Sequence, residues 1–316
     1  MAFRDFLAAR AMSHEFDYIR ELRNRIPPSP RVLVGPGDDC AVLARPDGLQ
    51  LITTDLLQDG VDFILAECGP RAAGRKAMAV NLSDIAAMAG IPTVAVVGLC
   101  LPKTGSMALA EELFEGIKES ADRFGVTIAG GDTNSWHGPL VISITLLGET
   151  TARGPVRRNG AKPGDALFVT GPLGGSLLGR HLNPVPRIRE ALILNEQFHV
   201  HAMIDISDGL AADLAHLCEE SQCGAILKEA EIPIHADGRD RAKQTGRTPL
   251  EHALHDGEDF ELLFAVSAAQ GKELLDRQRE LGLTVFPIGE CETSGLWLQG
   301  DHARKPLTPS GWVHTW

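Results

Sequence analysis

The order of hydrophobic and polar positions predicts strands that alternate with helices along most of the chain. Short apolar runs beside acidic residues, at 41–43 and 51–54, are typical of buried strands. Residues 72–90 are apolar nearly all round, which predicts a helix buried on all sides. A stretch at 14–25, ended by two prolines, predicts a further helix. The polar residues 231–248 predict an irregular, mobile insertion.

The composition changes over residues 150–164, where Gly, Pro and Arg replace the apolar runs. This change predicts two α/β halves, residues 1–150 and residues 151–316. The length of 316 residues agrees with two halves, because single hydrophobic cores stop growing near about 250–300 residues.

Charge and cysteine usage narrow the possible partners. The net charge of −12 disfavours nucleic acid and anionic membrane surfaces. No apolar run approaches the roughly 20 residues that span a bilayer. The six cysteines form no C-x-x-C pair, so we expect reduced thiols in a cytoplasmic protein and neither a zinc site nor a disulfide framework.

An acidic stretch near the start of the chain carries the first candidate chemistry. Asp38 and Asp39 precede one apolar run, and Asp55 ends the next one after Thr53 and Thr54. If the two runs pair as a hairpin, these side chains converge, and oxygen-only ligands suit Mg²⁺. The alternative is a turn in which the Asp side chains bond to their own backbone.

Further carboxylates lie on later predicted elements. Asp84 shares a helix face with Asn81, and it needs either a metal or a cation such as Arg75 or Lys76 as its partner. Asp132 follows two glycines, which allow the backbone to approach a ligand closely.

The second half adds a strand-to-helix turn and a basic pair. Asp205, Ser207 and Asp208 lie at a predicted helix start, where a cap explains one aspartate but not both, and where anions are favoured. Arg157 and Arg158 predict either a solvated linker or a phosphate clamp. Carboxylates on five separated segments together predict several divalent cations that hold a polyphosphate.

Seven motifs occur in an order that resembles the thiamine-monophosphate kinases of the aminoimidazole-ribonucleotide-synthetase-like superfamily. They are GDDCAVL (37–43), TDLLxxGVxF (54–63), KAxAVNLSDIAAM (76–88), GGDT (130–133), GAKPGD (160–165), DISDGL (205–210) and GEDFELLF (257–264). The resemblance covers about residues 14 to 312. It implies a two-domain α/β fold whose N-terminal sheet pairs into a barrel in a homodimer.

The resemblance also implies transfer of the γ-phosphoryl group of ATP to thiamine monophosphate, with several Mg²⁺ ions. By match to the family motifs, Asp84, Asp208 and Arg158 would be catalytic. The implied metal ligands are Asp39, Thr53, Thr54, Asp55, Asp84, Asp132, Asp205 and Asp208. The implied nucleotide contacts are Phe114, Gly131, Asp132, Arg158 and Ser207. The implied contacts to thiamine monophosphate are Asp62, Glu258 and Trp312.

Two positions depart from the family pattern. Asp62 stands where the family usually has His, and Asp256 replaces the first glycine of its G-G-E-D motif. Either the added charge suits the thiamine cation, or the acceptor differs. Two other functions remain open for the chain. One is that of a related ATP-dependent enzyme of the superfamily, such as selenophosphate synthetase or the hydrogenase-maturation relative, and the other is that of a non-catalytic nucleotide-binding paralogue.

Overall fold

The computed structural model describes residues 27, 29–35, 37–45, 48–104 and 107–313. The helix predicted over 14–25 lies outside these residues. The described part of the chain forms two β-sheets and seven α-helices. Within it, none of the helices combines the length and the apolar character that crossing a bilayer requires.

Six strands form the first sheet. They are β1 (Val32–Val34), β2 (Ala41–Arg45), β3 (Gly48–Gln58), β4 (Gly90–Pro102), β5 (Thr127–Trp136) and β6 (Val141–Thr150). Their order is β1-β2-β3-β6-β4-β5, and only β4 and β5 run parallel to each other. The β2–β3 pair is the predicted hairpin, with Ala41 opposite Ile52.

Two helices cover one face of this sheet, α1 (Leu65–Ala87) and α2 (Met107–Arg123). On β6, Ile142, Ile144 and Leu146 are buried on this covered face. Leu56 and Val96 lie on the opposite face and are exposed. This alternation follows from the two-residue period of a strand.

Seven strands form the second sheet, in the second half. They are β7 (Asp165–Val169), β8 (Val200–Asp205), β9 (Gly224–Lys228), β10 (Leu262–Ser267), β11 (Phe286–Glu292), β12 (Leu296–Gln299) and β13 (Arg304–Pro306). Their order is β13-β12-β9-β11-β7-β10-β8. The helices of this half are α3 (Ile188–Gln197), α4 (Leu210–Ser221), α5 (Ala236–Thr245), α6 (Pro249–His255) and α7 (Ala268–Leu281).

Helix α1 packs between the two sheets. It contacts β3, β4 and β6 on one side and β8 and α3 on the other. Met78 and Leu82 are fully buried, which confirms the prediction of a helix buried on all sides. Helix α2 approaches α1 so closely that a Cβ at Gly74 would lie 2.2 Å from the Leu113 carbonyl oxygen. Only glycine fits at this position.

The hydrophobic core is continuous across the two halves. Phe168, Met203 and Phe264, on one face of the second sheet, belong to the same cluster as the buried residues of α1. Leu167 and Ile204, on the other face, pack in a second cluster with α4 and α6. The division of the chain at residue 150 stays a prediction.

The prediction of an irregular segment at 231–248 is wrong. Helix α5 occupies most of it, and the His235 side chain caps its start. Helix α6 begins after Thr248, which forms a capping box with Glu251. Helix α5 was missed because it is polar and presents little apolar surface, whereas the T-x-x-E motif at 248–251 was an available signal for the start of α6.

Candidate functional site

Three carboxylates from distant parts of the chain meet between the two halves. Asp39 lies just before β2, Asp84 on α1 and Asp205 at the end of β8. One oxygen atom from each lies within 4.8 Å of the other two. Like charges at this distance repel one another unless a proton or a cation lies between them.

Burial and mutual repulsion shift the protonation of this acidic cluster. Burial, and then the charges of Asp55 and Asp205, raise the pKa of Asp84 well above its usual value. Burial, and then the charge of Asp39, raise the pKa of Asp205 to about 8. Burial, and then the charge of Asp62, raise the pKa of Asp55 to about 6.

The donor set fits a hard divalent cation. All of the converging groups are carboxylate oxygens, and the buried Oδ2 of Asp55 has no hydrogen-bond partner among the described residues. Such oxygen ligands suit Mg²⁺ better than zinc. Asp39, Asp84 and Asp205 could hold the ion, with Asp55 beside them.

Two hydroxyl groups support the cluster. Thr53 donates to Asp84 Oδ2, and Ser83 donates to Asp205 Oδ2 at 2.5 Å. Thr54 lies on the opposite face of β3, where its hydroxyl donates to a β6 carbonyl oxygen at 3.1 Å. The structure therefore brings the Thr53 hydroxyl to the acidic cluster, and it does not bring the Thr54 hydroxyl there.

Arg158 binds the acidic cluster directly. Its Nε and Nη2 donate to the two oxygens of Asp39, at 2.9 Å each, and its backbone N–H donates to Asp38 at 3.1 Å. Burial, and then the charge of Asp39, raise the pKa of Asp38 to about 7. The interpretation of Arg158 as part of a solvated linker is therefore wrong, while the neighbouring Arg157 is exposed.

Three of the residues that the family resemblance assigns to the nucleotide, Phe114, Gly131 and Asp132, lie apart from this cluster. Asp132 is exposed within β5, at the edge of the sheet, and accepts a hydrogen bond from the Thr133 N–H. Gly131 packs so tightly on β4 that an added Cβ would lie 1.8 Å from the Val97 carbonyl oxygen. Phe114 is exposed on α2. The structure does not join these side chains to the three carboxylates.

The turn between β8 and α4 brings Ser207 and Asp208 to the junction of the halves. Asp213, in the first turn of α4, accepts hydrogen bonds from the N–H groups of Asp208 and Gly209, at 3.1 and 3.0 Å. Sequence reasoning missed Asp213. Its position in the first turn of a predicted helix, where acidic residues bind free N–H groups, was the available signal.

A cavity of about 280 Å³ lies beside the cluster, between the two halves. Six of the predicted site residues line it: Asp55, Asp62, Ser207, Asp208, Glu258 and Trp312. Val80 and Phe260 add apolar walls. The segment that carries Trp312 docks there, because its backbone N–H donates to the Asp208 carbonyl oxygen at 3.0 Å.

The two residues that depart from the family pattern differ in their surroundings. Asp256 accepts hydrogen bonds from His252 at 2.9 Å and from the Gly175 N–H at 3.0 Å, with Arg241 at 3.6 Å. Asp62 accepts from the Gln58 N–H at 2.7 Å. Cationic and polar groups therefore compensate Asp256, whereas Asp62 adds negative charge to the cavity.

The sequence left the partner of Asp84 open between a metal and a nearby cation, and Lys76 is not that cation. It was one of two alternative partners for Asp84, yet its ammonium donates to Glu258 at 2.5 Å. The other alternative, Arg75, pairs with Glu119 on α2. Neither ion pair involves Asp84, whose carboxylate lies instead beside Asp39, Asp205 and the Thr53 hydroxyl.

Comparisons with known proteins identify the family. The family models for AIR synthase related protein match residues 37–150 (N-terminal domain) and 162–296 (C-terminal domain). The thiamine-monophosphate kinase of Rhodopirellula baltica is 44% identical over 310 residues, covering 95% of this chain and 97% of that relative. The chain belongs to the thiamine-monophosphate kinase family. The Bacillus subtilis kinase is 33% identical, covering 95% and 99% of the two chains.

A solved structure of the same family shares the fold. AaThiL complexed with AMPPCP and TMP has a TM-score of 0.79 and 30% identity, covering 95% of this chain and 96% of that chain. The predicted two-domain α/β fold of the aminoimidazole-ribonucleotide-synthetase-like superfamily is confirmed. The barrel formed by pairing of two sheets stays a prediction.

Proposed function

We propose that this protein transfers the γ-phosphoryl group of ATP to the phosphate of thiamine monophosphate and so forms thiamine diphosphate. Kinase relatives that match along nearly their whole length, and the complex of AaThiL with AMPPCP and TMP, support this activity. One observation carries it for this chain. Asp55 adjoins the carboxylate cluster and also lines the cavity, together with Asp208, so the proposed cation site and the proposed acceptor site would share a wall.

The reaction requires two polyanions to approach each other. The acceptor phosphate is already ionised near pH 7, so no general base is needed, and positioning and charge stabilisation supply the catalysis. Magnesium ions, when bound by Asp39, Asp55, Asp84, Asp205 and Asp208, would screen the phosphates. Arg158 would bind a phosphate oxygen with its planar guanidinium, and Ser207 would orient one at the start of α4.

The remaining assignments follow the family motifs. We propose that Phe114, Gly131 and Asp132 contact the nucleotide. The acceptor would lie in the cavity between the Trp312 ring and the carboxylates of Asp62 and Glu258, since a flat cation favours an aromatic face and negative charge. Asp132, Thr53 and Thr54 complete the proposed metal ligands. The Thr54 hydroxyl bonds to a β6 carbonyl, so only the Thr54 backbone would be available to a metal.

We also propose a homodimer and a cytoplasmic location. The exposed face of the first sheet, with Leu56 65% exposed and Val96 45% exposed, supports pairing of two sheets. Pairing would also place Asp132, on the edge strand, near a second copy. Sedimentation as a monomer at micromolar concentration would contradict the dimer.

The activity is tested with the purified protein, ATP, Mg²⁺ and thiamine monophosphate. We expect thiamine diphosphate and ADP in equal amounts, and no ADP without the acceptor. ADP release that ignores the acceptor would identify an ATPase instead. ATP binding without ADP release would identify a non-catalytic nucleotide-binding protein.

A further inference from the structure

Lys76 is a charged side chain buried at the junction of the two halves. It lies on α1 and is 1% exposed. An ammonium group in such surroundings requires acceptors and an opposite charge. Its Nζ has both, because it donates to the backbone carbonyl of Asp62 and to Glu258 Oε1.

The Glu258 backbone has an unusual conformation. Glu258 and Phe260 have φ angles of 52° and 50°, in the left-handed region that residues with side chains rarely adopt. Their N–H groups donate to the carbonyls of Ser207 and Ile206, at 2.7 and 2.8 Å. The turn before α4 therefore holds the backbone, while Lys76 fixes the direction of the Glu258 side chain.

Three walls of the cavity meet at the Lys76 ammonium group. Asp62 belongs to the turn after β3, Lys76 to α1, and Glu258 to the segment before β10. The Glu258 side chain is 23% exposed, so it faces the cavity as well as Lys76. An ion pair that crosses the junction of the halves can set the shape of the cavity there.

We propose that Lys76 is a positioning residue for the acceptor. Its ammonium group holds the Glu258 carboxylate and the Asp62 carbonyl at the cavity wall. This inference rests on the proposed kinase function. Lys76 acts through Glu258 and leaves the nucleotide site and the acidic cluster unchanged. Loss of Lys76 therefore weakens acceptor binding without slowing turnover at saturation.

The test is a double-mutant cycle in the full-length protein. Steady-state kinetics are measured for the wild type, Lys76→Met, Glu258→Gln and the double variant, with Arg75→Met as the matched control one residue away on α1. We expect Lys76→Met to raise the KM for thiamine monophosphate at least tenfold, with the KM for ATP and kcat within threefold. The double variant should be no worse than Glu258→Gln, because the two residues act as a unit. Arg75→Met should resemble the wild type.

An acceptor KM within twofold of the wild type in folded Lys76→Met overturns the inference, as does a loss of kcat alone. If Lys76→Met does not fold, the double variant, which leaves no buried charge unpaired, decides. An acceptor KM equal to that of Glu258→Gln supports the inference, and a further tenfold rise overturns it. A wild type that forms no thiamine diphosphate overturns the proposed function itself, whereas an active wild type confines a failure to Lys76.

Discussion

Arg158 donates hydrogen bonds to both oxygens of the Asp39 carboxylate, from Nε and from Nη2, at 2.9 Å each. The pair joins a predicted phosphate clamp to a predicted metal ligand. Parallel hydrogen bonds of this kind are specific to the planar guanidinium group. The arginine neutralises one acid of the cluster, and we expect it to bind a phosphate oxygen instead when a cation binds Asp39.

Replacing Arg158 by Lys tests this exchange of partners. We expect kcat/KM for ATP to fall at least about tenfold, because a hydrogen bond to a charged group contributes about 1.5–3 kcal/mol. Steady-state kinetics with varied ATP measure the loss. Arg157→Lys, at the exposed neighbouring position, is the control and should leave kcat/KM unchanged. Equal kinetics in the two variants would exclude a role for the paired hydrogen bonds of the Arg158 guanidinium group.

Replacing Asp205 by Asn separates activity from stability. We expect kcat to fall on the order of 10²-fold or more, because one ligand charge of the proposed metal site is removed. The metal-free protein should become more stable, since a buried carboxylate beside Asp39 repels its neighbours. Calorimetry in EDTA should show a Tm higher by about 2–4 °C, which corresponds to about 1 kcal/mol. Asp301→Asn, an exposed position, is the control, and a lower Tm in Asp205→Asn would contradict the repulsion.

Metal removal should make stability depend on pH. The pKa of Asp205 is about 8 in the folded protein, above its value of about 3.9 in an unfolded chain. At a pH between these two pKa values the folded state binds more protons than the unfolded state. The free energy of unfolding therefore falls as the pH rises from about 4 to about 8. Thermal unfolding in EDTA at pH 5, 6, 7 and 8 measures this fall. Asp205→Asn should flatten the slope, and an unchanged slope in that variant would assign it to other groups.

The two departures from the family pattern should affect the acceptor differently. Asp62→Asn removes a charge from the cavity, so we expect the KM for thiamine monophosphate to rise severalfold. Asp256→Asn should change this KM less than twofold, because Asp256 is held by hydrogen bonds from His252 and the Gly175 N–H and lies 3.6 Å from Arg241. Kinetics with varied acceptor measure both variants. Equal effects would show that the compensation does not isolate Asp256 from the acceptor.

The sequence predicted the parts of the site that depend on local pattern. The hairpin that brings Asp39 near β3 and the all-round burial of α1 both follow from apolar runs and their period. The Lys76–Glu258 pair could not be predicted, because its members are 182 residues apart and meet only through packing of the two halves.

The hydroxyl of Thr54 shows a second limit. Thr53 and Thr54 are adjacent in β3, so their side chains must point to opposite faces, but the sequence does not say which of the two faces is covered by α1 and carries Asp84. The distance of Asp132 and Phe114 from the three carboxylates likewise depends on the order of strands in the sheet, which motif spacing does not contain.

The packing of α1 against both sheets has a consequence for how the protein can be divided. Neither half has a complete hydrophobic core by itself, because α1 forms part of the core of both halves. Residues 1–150 produced alone would present the α3- and β8-facing side of that helix to water and would aggregate or stay loosely packed. We therefore expect the kinase to unfold as one cooperative unit, whose acidic cluster forms only when Asp205 of the second half packs beside Asp39 and Asp84 of the first.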